Sequence, residues 1–361
     1  MKILISGGGT AGHINPALAI ADYAKKHVDA EILFIGTEKG LEKTLVEREG
    51  YNIKYIDVSG LIRSLTPKNI VVLAKYLKAI GDCKKIIKEF KPDVVVGTGG
   101  YVCAPAISAA ASLGIPSIIH EQNVIPGVTV KMAAKKADCI AISFNDTLNY
   151  MKKQLHSKCE LTGNPLDDAM LCVDKAKARE KLSMDDRPFI IMIGGSLGAE
   201  RLNEAMTDFV NSCDKEAIYF VSSAGKRYYD KVIEKIDKEK LGENIKVLPF
   251  TDKVPELMSI SDLVVTKPGG LTTSESLASS LPIIVINPIP GQEEENAEFL
   301  EKSGAAIWIK KNSDPNEIIN SILGDENKLK NMKENSIRLA KTHATEDICK
   351  ICLNGKENKN D

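Results

Sequence analysis

Two glycine-rich turns of one design, Gly7-Gly8-Gly9-Thr10-Ala11-Gly12-His13 and Gly194-Gly195-Ser196-Leu197-Gly198-Ala199, each leave an apolar run and open a helical one, about half a chain apart. Glycine there permits positive φ and close approach of backbone to ligand, and the first N–H groups of the following helix face any anion unpaired. The chemistry implied is the binding of a diphosphate or a sugar phosphate. A third turn, Gly97-Thr98-Gly99-Gly100-Tyr101, follows Val94-Val95-Val96 and adds donors beside the first. Two such turns in one half exceed what one phosphate needs, so Gly9, Gly99, Gly100 and Tyr101 are candidates for a second diphosphate, belonging to an acceptor. The competing reading is a set of tight turns required only by packing.

His13 closes the first turn, and His120-Glu121-Gln122-Asn123 closes a later strand of the same half. A histidine beside a carboxylate is the pairing expected of a general base that deprotonates a hydroxyl, so His13 is the candidate base, with Glu121 as helper or rival. His120, just inside a strand end, reads as structural. In the second half, Lys267-Pro268-Gly269-Gly270-Leu271-Thr272-Thr273-Ser274-Glu275 follows a strand and is expected to open a helix at Thr272, presenting N–H groups and hydroxyls to phosphate. Glu275, one turn in, can accept both hydroxyls of a ribose; its alternative role is a capping box with Thr272. Gln292 and Glu293, in Pro290-Gly291-Gln292-Glu293-Glu294-Glu295-Asn296, read as partners for sugar hydroxyls. The remaining carboxylates favour the helix dipole, because successive helical positions point about 100° apart and cannot converge on one Mg²⁺.

Other chemistries are excluded or disfavoured. The first turn lacks G-x-G-x-x-G spacing, and Phe34-Ile35-Gly36-Thr37 offers no acidic residue for a dinucleotide ribose, so NAD is disfavoured; no P-loop motif occurs. No metal or cofactor is called for. The net charge of -1 over 361 residues argues against nucleic acid as a partner. No signal peptide or membrane-spanning run is visible, which reads as cytoplasmic. The eight cysteines are scattered, as in a reducing compartment, and Cys349-x-x-Cys352 has no second half with which to form a zinc site.

Strands and helices alternate throughout, the pattern of an α/β protein with two Rossmann-like parallel sheets facing across a cleft. Strands are expected at Lys2 to Ser6, Glu31 to Ile35, Ile53 to Val58, Asp93 to Val96, Ser117 to His120 and Cys139 to Ile142. After the linker Gly163-Asn164-Pro165 they resume at Phe189 to Ile193, Ile218 to Val221, Ile245 to Leu248, Asp262 to Thr266, Ile283 to Asn287 and Ala305 to Ile309. The expected domains are 1–163, with a helix at about 340–353 packing back on it, and 164–339, followed by a disordered polar tail, 354–361. Residues 61–91 carry eight basic side chains against two acidic ones, interleaved with apolar ones. Leu61, Ile62, Arg63, Lys68, Leu73, Lys75, Tyr76 and Lys78 form a candidate patch for an anionic membrane, each cation near the surface contributing about 1 kcal/mol.

The motifs Gly8-Gly9-Thr10-Ala11-Gly12-His13, Gly36-Thr37-Glu38-Lys39-Gly40-Leu41-Glu42, Gly97-Thr98-Gly99-Gly100-Tyr101, His120-Glu121-Gln122-Asn123, Thr162-Gly163-Asn164-Pro165 and Gly194-Gly195-Ser196-Leu197-Gly198-Ala199 carry a likeness over nearly the whole length. The chain resembles the GT-B glycosyltransferases, and within them the bacterial enzymes that make lipid II from lipid I. The resemblance implies inverting transfer of N-acetylglucosamine from UDP-N-acetylglucosamine to the 4-hydroxyl of a muramyl sugar on an undecaprenyl-linked lipid, without a bound metal, at the cytoplasmic face of the membrane. It implies that Ser196 holds diphosphate, that Asn203 supports its loop, and that Thr251 meets uracil through its main chain. Gly270, Leu271, Thr272, Thr273, Ser274 and Glu275 then hold phosphate and ribose, and Gln292 and Glu293 reach the sugar. Thr10, Ala11, Gly12 and Asn123 close from the acceptor side. Three departures stand out: Gly163-Asn164-Pro165-Leu166-Asp167 lacks the family's usual arginine, Gln292-Glu293 stands where a double glutamine is typical, and the segments around Lys267 and Gln292 look like those of enzymes that glycosylate diacylglycerol. The rival readings are a UDP-glucose diacylglycerol glucosyltransferase, a UDP-N-acetylglucosamine epimerase and a non-catalytic UDP-sugar-binding subunit.

Overall fold

The computed structural model describes every residue except 61–67, 172–173, 182–183, 195–197, 311–312 and 358–361; the side chains of 68–71, 169 and 355–357 are also not described. The chain divides into two compact units, residues 1–167 with 342–361, and residues 168–341.

Unit 1 runs β1 (Lys2–Gly7), α1 (Ala11–Val28), β2 (Glu31–Gly36), α2 (Leu41–Arg48), β3 (Asn52–Tyr55), α3 (Lys68–Phe90), β4 (Val94–Gly99), α4 (Cys103–Ser112), β5 (Ser117–Glu121), α5 (Val128–Ala133), β6 (Cys139–Ile142) and β7 (Cys159–Leu161). The strands form one sheet in the order β3-β2-β1-β4-β5-β6-β7, and every paired neighbour is parallel. A sheet with helices on both faces buries every residue of its central strands, and Ile3, Leu4 and Ile5 are buried in succession, alternately against the two layers. The sheet has seven strands where the sequence suggested six. β7 is a three-residue edge strand, too short and too exposed to carry an apolar run.

Unit 2 runs α6 (Asp168–Leu171), α7 (Lys175–Lys181), β8 (Phe189–Ile193), α8 (Glu200–Ser212), β9 (Tyr219–Ser223), α9 (Tyr229–Lys235), β10 (Ile245–Leu248), α10 (Val254–Ile260), β11 (Leu263–Thr266), α11 (Gly270–Ala278), β12 (Ile283–Ile286), α12 (Gln292–Lys302), β13 (Ala306–Ile309), α13 (Pro315–Leu323) and α14 (Glu326–Leu339). Its sheet is parallel, in the order β10-β9-β8-β11-β12-β13. The two units therefore repeat one topology.

The final helix, α15 (Ala344–Glu357), belongs to unit 1, where Ile348, Cys349 and Cys352 join the core formed by Ile20 and Ala24 of α1. The tail expected to be disordered from 354 is thus helical as far as Glu357, because this buried face, with the Lys350–Glu346 ion pair at 2.7 Å, supports the helix beyond the point where its sequence turns polar. Burial pushes the Cys349 thiol up to about 12 and Cys352 well above its ordinary range, so both are packed, inert groups. Among the described residues no helix is long and apolar enough to cross a membrane.

Candidate functional site

In an open parallel sheet, ligands bind beyond the carboxyl ends of the strands at the point where strand order reverses. That point lies between β1 and β4 in unit 1 and between β8 and β11 in unit 2. All of the glycine turns singled out in the sequence leave one of those four strands.

In unit 1 the turns after β1 and β4 interlock. The Gly8 N–H donates to the Gly99 carbonyl at 3.3 Å, and the Thr98 hydroxyl donates to the His13 carbonyl at 2.7 Å. A Cβ at Gly100, where φ is +80°, would lie 2.1 Å from the Gly8 carbonyl oxygen, so only glycine fits there. The Thr10 side chain makes no capping hydrogen bond to the backbone of α1, which leaves first-turn N–H groups at Ala11 and Gly12 for a ligand. Tyr101 packs its ring on Gly9.

His13 sits on this platform, its ring against Gly99. Nδ1 is 3.1 Å from the Gly8 carbonyl and 3.2 Å from Thr10 Oγ1. A carbonyl only accepts, so Nδ1 carries the proton and Nε2 keeps its lone pair. Burial holds the imidazole below its ordinary 6.5, against the opposing effect of the Gly8 hydrogen bond. The ring is thus a neutral base with a defined tautomer.

Glu121 is placed differently from the expectation that it serves as helper or rival base. It is buried, Oε1 accepts the N–H and side-chain amide of Asn123 at 2.9 and 3.1 Å, and Oε2 accepts the Gly127 N–H at 2.8 Å. Both oxygens are committed to holding the loop between β5 and α5, and Asn123 is one of the groups so held. His120 is structural, as its position suggested. Gln122 Nε2 donates to its Nδ1 at 3.0 Å, its Nε2 donates to the Gly163 carbonyl at 3.0 Å, and burial pulls it down to about 4. The Gln122 amide also donates to the Thr98 carbonyl, joining this loop to the glycine turn after β4.

Two residues that hold this half-site went unassigned in the sequence reading. Glu42 is fully buried; its Oε2 accepts the Gly9 N–H at 3.0 Å, and its Oε1 accepts the Thr37 N–H at 2.9 Å and hydroxyl at 2.7 Å. A Cβ at Gly8 or Gly40 would lie 2.8 or 2.2 Å from its carboxylate, which explains the glycines at both places. Cys103, also buried, donates to the Ser6 carbonyl at 2.7 Å and accepts the Gly99 N–H at 3.0 Å, tying β1 to the turn after β4. Glu42 lay inside a motif, but its partner at Gly9 is remote in sequence, so no local pattern could reveal the contact.

In unit 2, Ser196 lies outside the described residues. Gly198, at φ +73°, approaches the Ala224 carbonyl so closely that a Cβ would fall 2.2 Å from its oxygen. Asn203 Nδ2 donates to that same carbonyl at 2.8 Å, so it braces the start of α8 against the end of β9. Thr251 follows the edge strand β10, its hydroxyl accepting the Lys253 N–H at 3.1 Å. α11 opens at Gly270, two residues before the expected Thr272, with Gly269 as an N-cap that has no side-chain hydrogen bond. Thr272 is therefore inside the helix and forms no capping box with Glu275, because the flexible Gly269-Gly270 pair lets the chain enter the helix earlier.

Several groups of this turn await a partner among the described residues. The Thr273 hydroxyl is buried with none, and Glu275 is half-buried with none, its carboxyl pushed up to about 7 by burial. The uncapped N–H groups of Gly270 and Leu271 stand on the same turn, with Ser274 one turn on, its hydroxyl donating to the Gly270 carbonyl at 3.1 Å; donors and an acceptor of this kind are chemically suited to hydroxyls and anions. Gln292 begins α12 and is exposed. Glu293 beside it already has protein partners, Lys267 Nζ at 3.1 Å and the Ile289 N–H at 2.7 Å.

Of the candidate basic patch, Leu61, Ile62 and Arg63 lie outside the described residues and the Lys68 side chain is not described. On α3, Leu73 and Leu77 are 55% and 61% exposed and Lys78 is exposed. Lys75 pairs with Asp57 at 2.9 Å, and the Tyr76 hydroxyl meets Ser108 of α4 at 3.0 Å, so Tyr76 faces its neighbouring helix in part.

The chain matches the glycosyltransferase family 28 N-terminal domain over residues 3–142 and the corresponding C-terminal domain over residues 189–350. It is 42% identical to a UDP-N-acetylglucosamine–N-acetylmuramyl-(pentapeptide) pyrophosphoryl-undecaprenol N-acetylglucosamine transferase of Acetivibrio thermocellus, over 99% of each chain. It is 38% identical to the enzyme of the same name from Caldanaerobacter subterraneus, over 97% of this chain and 99% of that one. The crystal structure of Acinetobacter baumannii MurG superimposes with a TM-score of 0.76 at 26% identity, covering 98% of this chain and 99% of that one. A UDP-GlcNAc 2-epimerase from Neisseria meningitidis shares the fold, with a TM-score of 0.68 at 15% identity over 98% and 100% of the chains. With its doubled parallel sheets, its glycine turns at both reversal points and these full-length relatives, the chain has the GT-B fold and belongs to glycosyltransferase family 28.

Proposed function

We propose that this protein transfers N-acetylglucosamine from UDP-N-acetylglucosamine to the 4-hydroxyl of the muramyl sugar of undecaprenyl-pyrophosphoryl-N-acetylmuramyl-pentapeptide, with inversion, as a step in peptidoglycan synthesis. The observation that carries this reading is 42% identity to such a transferase along the whole length of both chains. Unit 2 binds the donor and unit 1 the lipid-linked acceptor.

In the transfer, positive charge grows on the sugar ring and negative charge on departing UDP, while the acceptor hydroxyl gives up a proton. His13 takes that proton at Nε2, the ring nitrogen left free by the Nδ1–H bond to Gly8. The uncapped start of α11 and the Thr273 hydroxyl receive the charge of the leaving diphosphate, as dipoles already in place before the bond breaks. Glu275 accepts the ribose hydroxyls, and Gln292 meets the sugar. Gly9, Gly99, Gly100 and Tyr101 cradle the acceptor diphosphate next to His13. Glu121 positions Asn123 and takes no proton itself.

The lipid acceptor requires a membrane surface, and exposed Leu73, Leu77 and Lys78 on α3 suit an anionic one. The protein then works peripherally, at the cytoplasmic face. The test is to offer UDP-N-acetylglucosamine and UDP-glucose, each against lipid I and diacylglycerol, and to identify the product by mass. A disaccharide-linked lipid II supports the reading. Glucosylated diacylglycerol, an epimerised donor, or no released UDP with any acceptor would each replace it with one of the rivals.

A further inference from the structure

Lys267 stands on the loop that leaves β11, and Glu293 in the first turn of α12 after β12; β11 and β12 are the two strands that carry the proposed donor groups. The Lys267–Glu293 ion pair measures 3.1 Å, with side chains only 17% and 21% exposed. Exposed pairs contribute little, but one that is mostly withdrawn from water leaves an uncompensated charge when either partner is removed. The second oxygen of Glu293 accepts the Ile289 N–H at 2.7 Å, so the carboxylate is fixed at both ends. A second tie runs parallel to the first: buried Asn296 Nδ2 donates to the Pro268 carbonyl at 2.8 Å. Gly291, at φ +101°, turns the chain sharply into α12, so Gln292 enters the helix directly before the anchored Glu293.

We propose that Lys267 is a positioning residue that fixes the sugar end of the donor site, by holding Glu293 and with it the start of α12 against the start of α11. The inference rests on the donor reading of unit 2. In this arrangement Glu293 is a spacer rather than a free sugar contact, and discrimination among UDP-sugars depends on how rigidly Lys267 sets the distance between the two helix starts.

The test combines Lys267→Met, Lys267→Arg, Glu293→Gln and the double variant Lys267→Met/Glu293→Gln, with UDP as the probe for calorimetric binding and UDP-N-acetylglucosamine and UDP-glucose as donors in steady-state transfer. Lys267→Met is expected to keep UDP affinity within about twofold while lowering kcat/KM for UDP-N-acetylglucosamine about tenfold or more, chiefly through KM, and narrowing its preference over UDP-glucose. Lys267→Arg restores both to within about threefold, and the double variant is no worse than the poorer single one. Unchanged KM and donor preference in Lys267→Met would overturn the inference, as would additive losses in the double variant, or loss of UDP binding alone, which would make the lysine a general support of the unit. Failure of the unsubstituted protein to bind UDP would remove the donor reading itself, and the inference with it.

Discussion

Glu42 offers the sharpest test of how the acceptor half-site is held. Its two oxygens receive three donors, the Gly9 N–H and the N–H and O–H of Thr37, at 3.0, 2.9 and 2.7 Å, with no water access. Glu42→Gln preserves the shape but replaces one acceptor with an NH₂. Whichever way the amide turns, it faces a backbone N–H that cannot rotate: Gly9 on one side, Thr37 on the other. One charge-assisted hydrogen bond is lost, and one buried N–H is left without an acceptor. Together these cost about 3–5 kcal/mol. For a unit of this size that is a fall in melting temperature of about 6–20 °C. Scanning calorimetry should place the loss in the unit 1 transition only, with UDP affinity, which the proposed function assigns to unit 2, unchanged. Transfer at a temperature where the variant is folded should fall through kcat, because Gly8 and Gly9 orient His13. A variant that melts within about 2 °C of the parent and turns over normally would refute the clamp, since no unsatisfied donor of that kind could be so inexpensive.

Further outcomes follow from the same geometry. His13→Ala should lower kcat by about a hundredfold or more; in the unsubstituted enzyme, whose imidazole is held below 6.5, kcat at saturating donor should be flat at neutral pH and fall only in more acidic solution as the base is protonated, and a neutral-range acid limb in kcat would remove the assignment. Glu275, pushed up to about 7 by burial, accepts ribose hydroxyls at both oxygens only when ionised, so donor affinity rises with pH and levels off above 7. One unit below that value only about a tenth of the carboxyls are charged, and UDP-N-acetylglucosamine should bind about tenfold more weakly at pH 6 than at pH 8, a dependence that calorimetry on Glu275→Gln should show flattened. Leu73→Glu with Leu77→Glu should reduce flotation with phosphatidylglycerol vesicles about tenfold or more while leaving transfer to a short-chain soluble acceptor intact; equal flotation would place the membrane contact elsewhere.

The framework was legible because parallel strands buried on both faces leave uninterrupted apolar runs, as at Ile3-Leu4-Ile5 and Ile190 to Ile193, and because glycine turns mark the strand ends where ligands gather. β7 escaped because Cys159-Glu160-Leu161 is short and mixed in polarity, its place fixed by pairing with β6. Within the site, legibility followed sequence distance. His13 and the turn that orients it are neighbours in the chain, so its candidacy could be argued from residues alone. The commitment of Glu121 to Asn123 and Gly127 is also local, yet a buried loop anchor and a free base carry the same letter, and only the count of hydrogen bonds on each oxygen separates them. Glu42 with Gly9, Cys103 with Ser6, and Lys267 with Glu293 are pairings that exist only once strands lie side by side.

The return of α15 to unit 1 bears on the order in which the chain can mature. Ile20 and Ala24 lie in a groove that stays bare until residues 344–357 have been synthesised, so the half translated first must wait on the ribosome, its apolar flank open, while the intervening half is made and can fold by itself. Clipping or tagging α15 should therefore damage unit 1, whose other elements are far away in sequence, and spare unit 2. Nascent chains that have passed residue 167 but have not yet released residue 357 are the ones in which this apolar flank stays uncovered.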